Sequence, residues 1–243
     1  MLAWPLDAEA LDAEQSRLAA ADPSPWTPSA DRLLVGGAFV AYAAGEAGPG
    51  NPGDRSWVGA VVVEVPGLRV LSHVVVPAVA GASYEPGRLA LREGPGLSDA
   101  LTRLAEWPDV VLVDASGRDH PRGAGLALHL GAVLDVPTIG VTHRPLIARG
   151  SDQPPDERGA WTPLTLDGSV VAAWVRTTRR AKPVVVHAAW RTDVPTAVEV
   201  VRRCSTRART PEPLRLARVA ARTARAHAEG RTPFPWRPEM RTP

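Results

Sequence analysis

Cysteine is nearly absent from this chain: Cys204 stands alone, which excludes an intrachain disulfide and any cysteine-clustered zinc or iron–sulfur centre. Lysine is equally scarce. Lys182 is the only one, so arginine carries the basic charge, and its planar guanidinium holds phosphate oxygens through two donors at once. An arginine bias also follows from GC-rich coding, and both origins stay open. No uncharged apolar run is long enough to span a bilayer. The opening stretch, "MLAWPLDAEALDAEQSRLAAADPS", carries acids early and has no basic leader before an apolar run, so it does not read as a secretory signal. These absences predict a soluble cytoplasmic protein with no membrane partner. What is present is ordinary for a globular chain: 243 residues, 44% hydrophobic and 22% charged, with a formal charge of +2. That composition argues against wholesale disorder or a coiled coil, and the length suffices to bury a core.

Helical spacing from Asp7 to Ala20, closed by the prolines of "DPSPWTP", predicts an N-terminal surface helix. Leu33 to Tyr42, Trp57 to Val65 and Leu68 to Val76 read as three strands of an antiparallel meander, the first two separated by a Gly/Pro-rich loop. After the loop "PAVAGASYEPG", Arg88 to Trp107 is helical except at an internal Gly-Pro-Gly, which marks either an irregular turn or the start of a second helix. Val110 to Val113 is short and continuously apolar, the mark of a strand covered on both faces. A helix from Gly125 to Leu134 and a strand from Thr138 to Val141 come next, implying a parallel pair with a crossover. Val170 to Val175 and Pro183 to His187 read as a further hairpin, and Val194 to Arg203 and Pro213 to Glu229 as closing helices. The expected fold is α/β: an RNase H-like mixed sheet, an antiparallel meander followed by parallel strands, flanked by helices. Residues 1–229 form one expected domain and 230–243 a flexible tail rich in proline and arginine.

In open α/β sheets, ligands collect in the groove beyond the carboxyl ends of the strands. Asp114, which ends the apolar run Val110 to Val113, is placed for that groove, unless it merely caps the following turn. His120 and Asp119 lie in the loop beyond it, among Pro121 and three glycines that let a ligand approach the backbone, or that make a plain surface turn. Tyr84 is one of only two tyrosines and sits in a loop of small and proline residues. Exposed rings in such loops either pry nucleic-acid bases apart or fold back on the surface. Glu93 precedes the Gly-Pro-Gly interruption. Arg215, Arg218, Arg222 and Arg225 recur at spacings of three and four opposite Leu216, Val219 and Ala220, forming a stripe that either follows a phosphate backbone or is the solvated face of an edge helix.

Four segments, "SYEPGRLALREGPGL", "VVLVDASGRDHPRGAGLALHLGAVLDVPTIGV", "WRTDVPTAVEVV" and "TRARTPEPLRLA", stand in the order of the signature segments of the endonuclease V family. The chain resembles that family of Mg²⁺-dependent nucleases, which cut near deoxyinosine in DNA or inosine in RNA, from about Leu33 to Ala226. The resemblance implies Glu93 and Asp114 as metal-site acids, His120 as an active-site histidine and Asp193 as a further catalytic acid, although Asp193 also precedes a helix as its N-cap would. The implied cofactor is Mg²⁺ or Mn²⁺, bound by hard oxygen ligands. The implied partner is DNA or RNA, inosine-containing, taken by a monomer. The same resemblance brings out three departures. The family's first-strand aspartate, a metal ligand, is replaced by Phe39, which has no ligand atom, and Glu46 in the next loop is the nearest alternative acid. The strand-separating wedge is Ser83-Tyr84-Glu85-Pro86, which keeps Tyr84 and Pro86 but places an acid between them. The family's lysine falls on His143, with Arg144 beside it as a replacement cation. Metal-dependent phosphodiester cleavage and nucleic-acid binding by a catalytically inactive member of the fold are therefore the two readings, and Phe39 separates them by weakening or removing the metal.

Overall fold

A computed structural model describes residues 3–28, 31–43, 50–150 and 153–232. Glu46 and the segment 233–243, most of the expected tail, lie outside them. The N-terminal helix α1 (Ala8–Ala19) begins at Asp7, whose carboxylate accepts the Ala10 N–H at 2.8 Å. It is more than a surface helix, because Leu11, Gln15 and Leu18 are buried. The meander comes next as β1 (Leu33–Tyr42), β2 (Arg55–Val65) and β3 (Arg69–Val79), paired antiparallel. β3 runs three residues past its expected end and takes in Pro77. It is an edge strand, where a missing N–H costs no ladder bond.

Helix α2 (Leu89–Thr102) is continuous through Pro95, so the Gly-Pro-Gly neither breaks it nor starts a second helix. The proline removes the donor that Leu91 would have accepted. The neighbouring loop closes on that turn, with the Gly81 N–H donating to the Arg92 carbonyl at 3.2 Å. Strand β4 (Val110–Val113) is buried at every residue, as its composition predicts. Helix α3 (Leu126–Leu134) crosses to β5 (Thr138–Thr142), parallel to β4. One strand escaped the sequence reading. β6 (Trp161–Leu166) pairs with β7 (Ser169–Val175) through the turn Asp167-Gly168, both residues having positive φ. Pro163 hid it, and β6 tolerates that proline because it forms the other edge. β8 (Val184–Ala188) lies between β5 and β7, and helices α4 (Val194–Arg203) and α5 (Glu212–Ala228) close the fold.

The eight strands run in the order β3-β2-β1-β4-β5-β8-β7-β6, an RNase H-like mixed sheet. Strand alternation divides the core between its faces. Val111 and Val113 pack with α1, α2 and α3, whereas Val110 and Leu112 pack with α4 and Leu214 of α5. No helix among the described residues is long and apolar enough to cross a membrane.

Two glycines set how closely α5 approaches the sheet. A methyl group at Gly37 would collide with the Pro213 carbonyl, and one at Gly59 with the Ala217 carbonyl. Their bare backbones let α5 lie directly on β1 and β2. The helix thus sits low over the end of β1, bringing Arg218 and Arg222 over the Phe39 ring and Arg225 to the Tyr42 carbonyl.

Candidate functional site

Asp114 leaves β4 beside the end of β1, on the face that α5 covers. Its carboxylate Oδ2 accepts from Arg218 Nη2 at 3.2 Å. The same guanidinium lies over the Phe39 ring, 4.9 Å from its centroid, with Arg222 over that ring at 5.6 Å. A ring face is electronegative, so Phe39 stabilises these cations by about 0.5–2 kcal/mol. The arginine stripe of α5 therefore does not form a purely solvated face. Arg215 pairs with the buried Glu212 at 2.8 Å, and Arg225 donates to the Tyr42 carbonyl at 3.0 Å. Burial first, and Arg218 and Arg225 second, hold Arg222 below its ordinary range. Arg209 is lowered for the same two reasons, burial and then Arg218.

Phe39, Tyr42, Glu93, Asp114 and Tyr84 line one cavity of about 410 Å³. Glu93 comes from α2, and enclosure, with the Asp114 charge second, pushes its carboxyl up to about 8. Below it, Arg92 is buried, stacked 4.2 Å from the Tyr42 ring centroid and paired with Asp54 at 2.7 Å. Mg²⁺ keeps several waters and takes one or two carboxylates beside substrate phosphate. The described residues include no group of three or more His, Cys, Asp or Glu side chains that could hold one. Phe39 supplies no ligand atom, and Asp114 is engaged by Arg218. Glu93 and the second Asp114 oxygen are the carboxylate donors this cavity would offer Mg²⁺ or Mn²⁺.

A second cavity of about 370 Å³ shares Tyr84 and Asp114 and is walled by Pro86, Gly87, Ser116, His120, Leu126 and Arg144. Tyr84 is 48% exposed and stands between the two cavities. Glu85 beside it is neutralised by Arg88 at 2.7 Å. His120 is buried with both ring nitrogens engaged: Nδ1 accepts the Arg122 N–H at 3.2 Å, and Nε2 donates to the Gly87 carbonyl at 3.0 Å. Burial keeps this imidazole below its ordinary value, so the neutral ring pins the Tyr84–Gly87 loop. His143 and Arg144 are exposed on the loop after β5. Burial and Arg209 lower the His143 pKa.

That loop is organised by a residue the sequence marked only by position. Asp119 is fully buried and accepts three backbone N–H groups, from Leu146, Ile147 and Ala148, at 2.7 to 2.8 Å. Asp193 goes elsewhere. It caps α4 by accepting the Thr196 N–H at 2.8 Å and lines a separate cavity with Arg118 and Arg191. Glu93, Asp114, Tyr84, Phe39 and the pair His143–Arg144 thus surround one groove, and Asp193 is not brought to it. The sequence named Arg218 only as one of a stripe. Its spacing on the helix was visible, but its contact with Asp114, 104 residues earlier, was not.

A family model described as Endonuclease V matches residues 27–219. An endonuclease V of Roseiflexus sp. strain RS-1 is 41% identical over 172 residues, covering 71% of this chain and 77% of that relative. The crystal structure of the endonuclease V from Streptomyces avermitilis aligns with a TM-score of 0.79 at 31% identity, over 93% of this chain and 96% of that one. The Ciona intestinalis endonuclease V, crystallised with a 24mer DNA containing an inosine followed by a ribo-adenosine, shares the fold at TM-score 0.74 and 22% identity, over 90% of this chain and 98% of that one. By its sequence and its RNase H-like sheet, the chain belongs to the endonuclease V family.

Proposed function

We propose that the protein recognises inosine-containing nucleic acid in the groove at the ends of β1 and β4, and holds it without magnesium-dependent cleavage. The observation that carries the reading is Tyr84, a half-exposed ring standing between two cavities on a loop pinned by His120. Such a ring enters a base stack, and stacking on it contributes about 1–3 kcal/mol per base. The second cavity, apolar at Leu89 and Leu126 and polar at Ser116 and Thr142, offers an extruded base both a packing surface and hydrogen-bond partners. The inosine DNA held by the Ciona family member supports this ligand class. Arg144 supplies a cation at the rim, and His143, its pKa lowered, a neutral ring beside it. In this reading, Phe39 stands where the family carries a metal-binding aspartate.

Cleavage is the second reading, favoured by Glu93 and Asp114 lining one cavity. The test pairs the native protein with Phe39→Asp on inosine-containing single- and double-stranded oligonucleotides, with Mg²⁺ and with Mn²⁺. The native protein is expected to bind inosine strands selectively and leave them intact. Cutting by the native protein that disappears in Glu93→Gln or Asp114→Asn sinks the non-cleaving reading. Binding with neither inosine preference nor salt dependence sinks nucleic-acid recognition altogether.

A further inference from the structure

We propose that the Arg218 guanidinium is the built-in cation of this groove: seated between the Phe39 ring and the Asp114 carboxylate, it excludes a divalent ion and, with Arg209, Arg222 and His143, takes a nucleic-acid phosphodiester directly. The proposal rests on the reading that the groove binds nucleic acid and says what grips the backbone there.

Three observations carry it. First, Arg218 is held on two sides, 3.2 Å from Asp114 Oδ2 and 4.9 Å from the Phe39 centroid, by a helix that Gly37 and Gly59 allow to lie flush on the sheet. A positive charge fixed at that spot repels a second cation and occupies one of the two Asp114 oxygens. Phe39 is part of the device, since an aromatic face accepts a guanidinium and cannot ligate a metal.

Second, the neighbourhood has more positive charge than its carboxylates balance. Arg209 and Arg222 each lie close enough to Arg218 to feel its charge, Arg225 acts on Arg222 as well, and Asp114 is the carboxylate that acts on Arg222 and pairs with Arg218; His143 stands beside them with its pKa lowered. Like charges packed together are unfavourable unless an anion joins them, and a phosphodiester supplies two anionic oxygens of the right geometry for guanidinium forks.

Third, donors remain unspent. The Nε atoms of Arg209 and Arg218 are buried without a hydrogen-bond partner among the described residues, which leaves the outer Nη donors of each guanidinium for a ligand. Arg209 uses Nη2 on the Pro183 carbonyl at 2.7 Å, and Arg222 holds no hydrogen bond among the described residues, only the Phe39 ring. The planar fork of Arg218 keeps Nη1 for a ligand while Nη2 holds Asp114.

The experiment has two arms. In the first, Mn²⁺ alone is titrated by electron paramagnetic resonance into the native protein, Arg218→Met and the double variant Phe39→Asp/Arg218→Met. The native protein is expected to take up none, and the double variant, with its cation removed and a carboxylate added, to take up Mn²⁺. In the second arm, inosine-containing and adenosine-containing oligonucleotides of one sequence are bound by the native protein in EDTA and in Mg²⁺. The two conditions are expected to give the same affinity. Arg218→Met weakens binding by at least about tenfold and lowers the slope of log affinity against log salt by about 0.7–0.9, while the inosine preference stays. Arg218→Lys keeps the charge without the fork and falls between them, with circular dichroism confirming that each variant folds. Uptake of Mn²⁺ by the native protein, or binding that needs Mg²⁺, overturns the built-in cation. Inosine-selective binding indifferent to Arg218→Met overturns the phosphate role alone. Absence of binding to either strand overturns the functional reading and the phosphate role together, and the Mn²⁺ arm still decides metal exclusion.

Discussion

Acidification should destabilise this protein through its buried imidazoles, and the share of one of them, His129, can be sized from its surroundings. His129 lies on α3 with no exposed surface and stacks on Trp4 of the N-terminal segment, ring centroids 4.7 Å apart and planes 23° apart. Neither ring nitrogen has a hydrogen-bond partner among the described residues. Burial is the main cause that lowers its pKa from 6.5 to about 4. The folded state therefore resists a proton that the unfolded chain accepts. Above about pH 6.5 neither state is protonated, and the contribution to stability is complete. Between about 6.5 and about 4 the unfolded state alone binds the proton, so stability falls as the pH falls. A gap of about 2.5 units at about 1.36 kcal/mol each makes the full loss about 3 kcal/mol. Urea unfolding followed by tryptophan fluorescence, run from about pH 7.5 to about pH 4.5 on the native protein and on His129→Phe, isolates the effect. Phenylalanine keeps the stack on Trp4 and cannot be protonated. His187, whose pKa is also lowered to about 4, titrates in both proteins and cancels in their difference. The native protein should lose about 2–3 kcal/mol more than the variant across that range. A stability difference that stays constant with pH refutes the argument.

Three further outcomes are expected. Asp119→Ala strips the acceptor from three backbone N–H groups and should lower stability by about 3–5 kcal/mol, with limited proteolysis now cutting within residues 143–149; a loop that stays resistant removes Asp119 as its organiser. Gly59→Ala forces a methyl group against the Ala217 carbonyl, costs about 1–3 kcal/mol in denaturant unfolding, and weakens oligonucleotide binding by displacing Arg218; unchanged stability contradicts the close approach of α5. Tyr84→Ala should leave stability within about 0.5 kcal/mol and weaken inosine-strand binding by about 1–3 kcal/mol in fluorescence anisotropy, whereas a large loss of stability assigns the ring to the fold.

Much of the architecture was legible because it is written locally. Val110 to Val113 announced a strand covered on both faces through unbroken branched apolar residues, and it is buried throughout. The Asp193-Val194-Pro195 start of α4 was legible as a cap only beside a second reading of Asp193 as a catalytic acid, and the structure shows the capping bond. Where local signals conflicted, position in the sheet decided. Pro163 and Pro77 argued against strands, and only their places on the two edges made them harmless. Pro95 argued for a broken helix, yet α2 runs through it, with the Gly81 N–H donating to the Arg92 carbonyl in that turn.

The groove divides in the same way. By itself the sequence determined the family, the carboxylate at the end of β4, the tyrosine in its loop and the aromatic residue at position 39, because each is a residue type at a place along the chain. Tertiary structure alone decided what those residues meet. The Arg218–Asp114 pair joins positions 104 residues apart, and the cation over Phe39 exists only because α5 docks flush on Gly37 and Gly59. Such contacts depend on how the helix crosses the sheet, a quantity set by backbone clearance over two strands and by no single stretch of the chain.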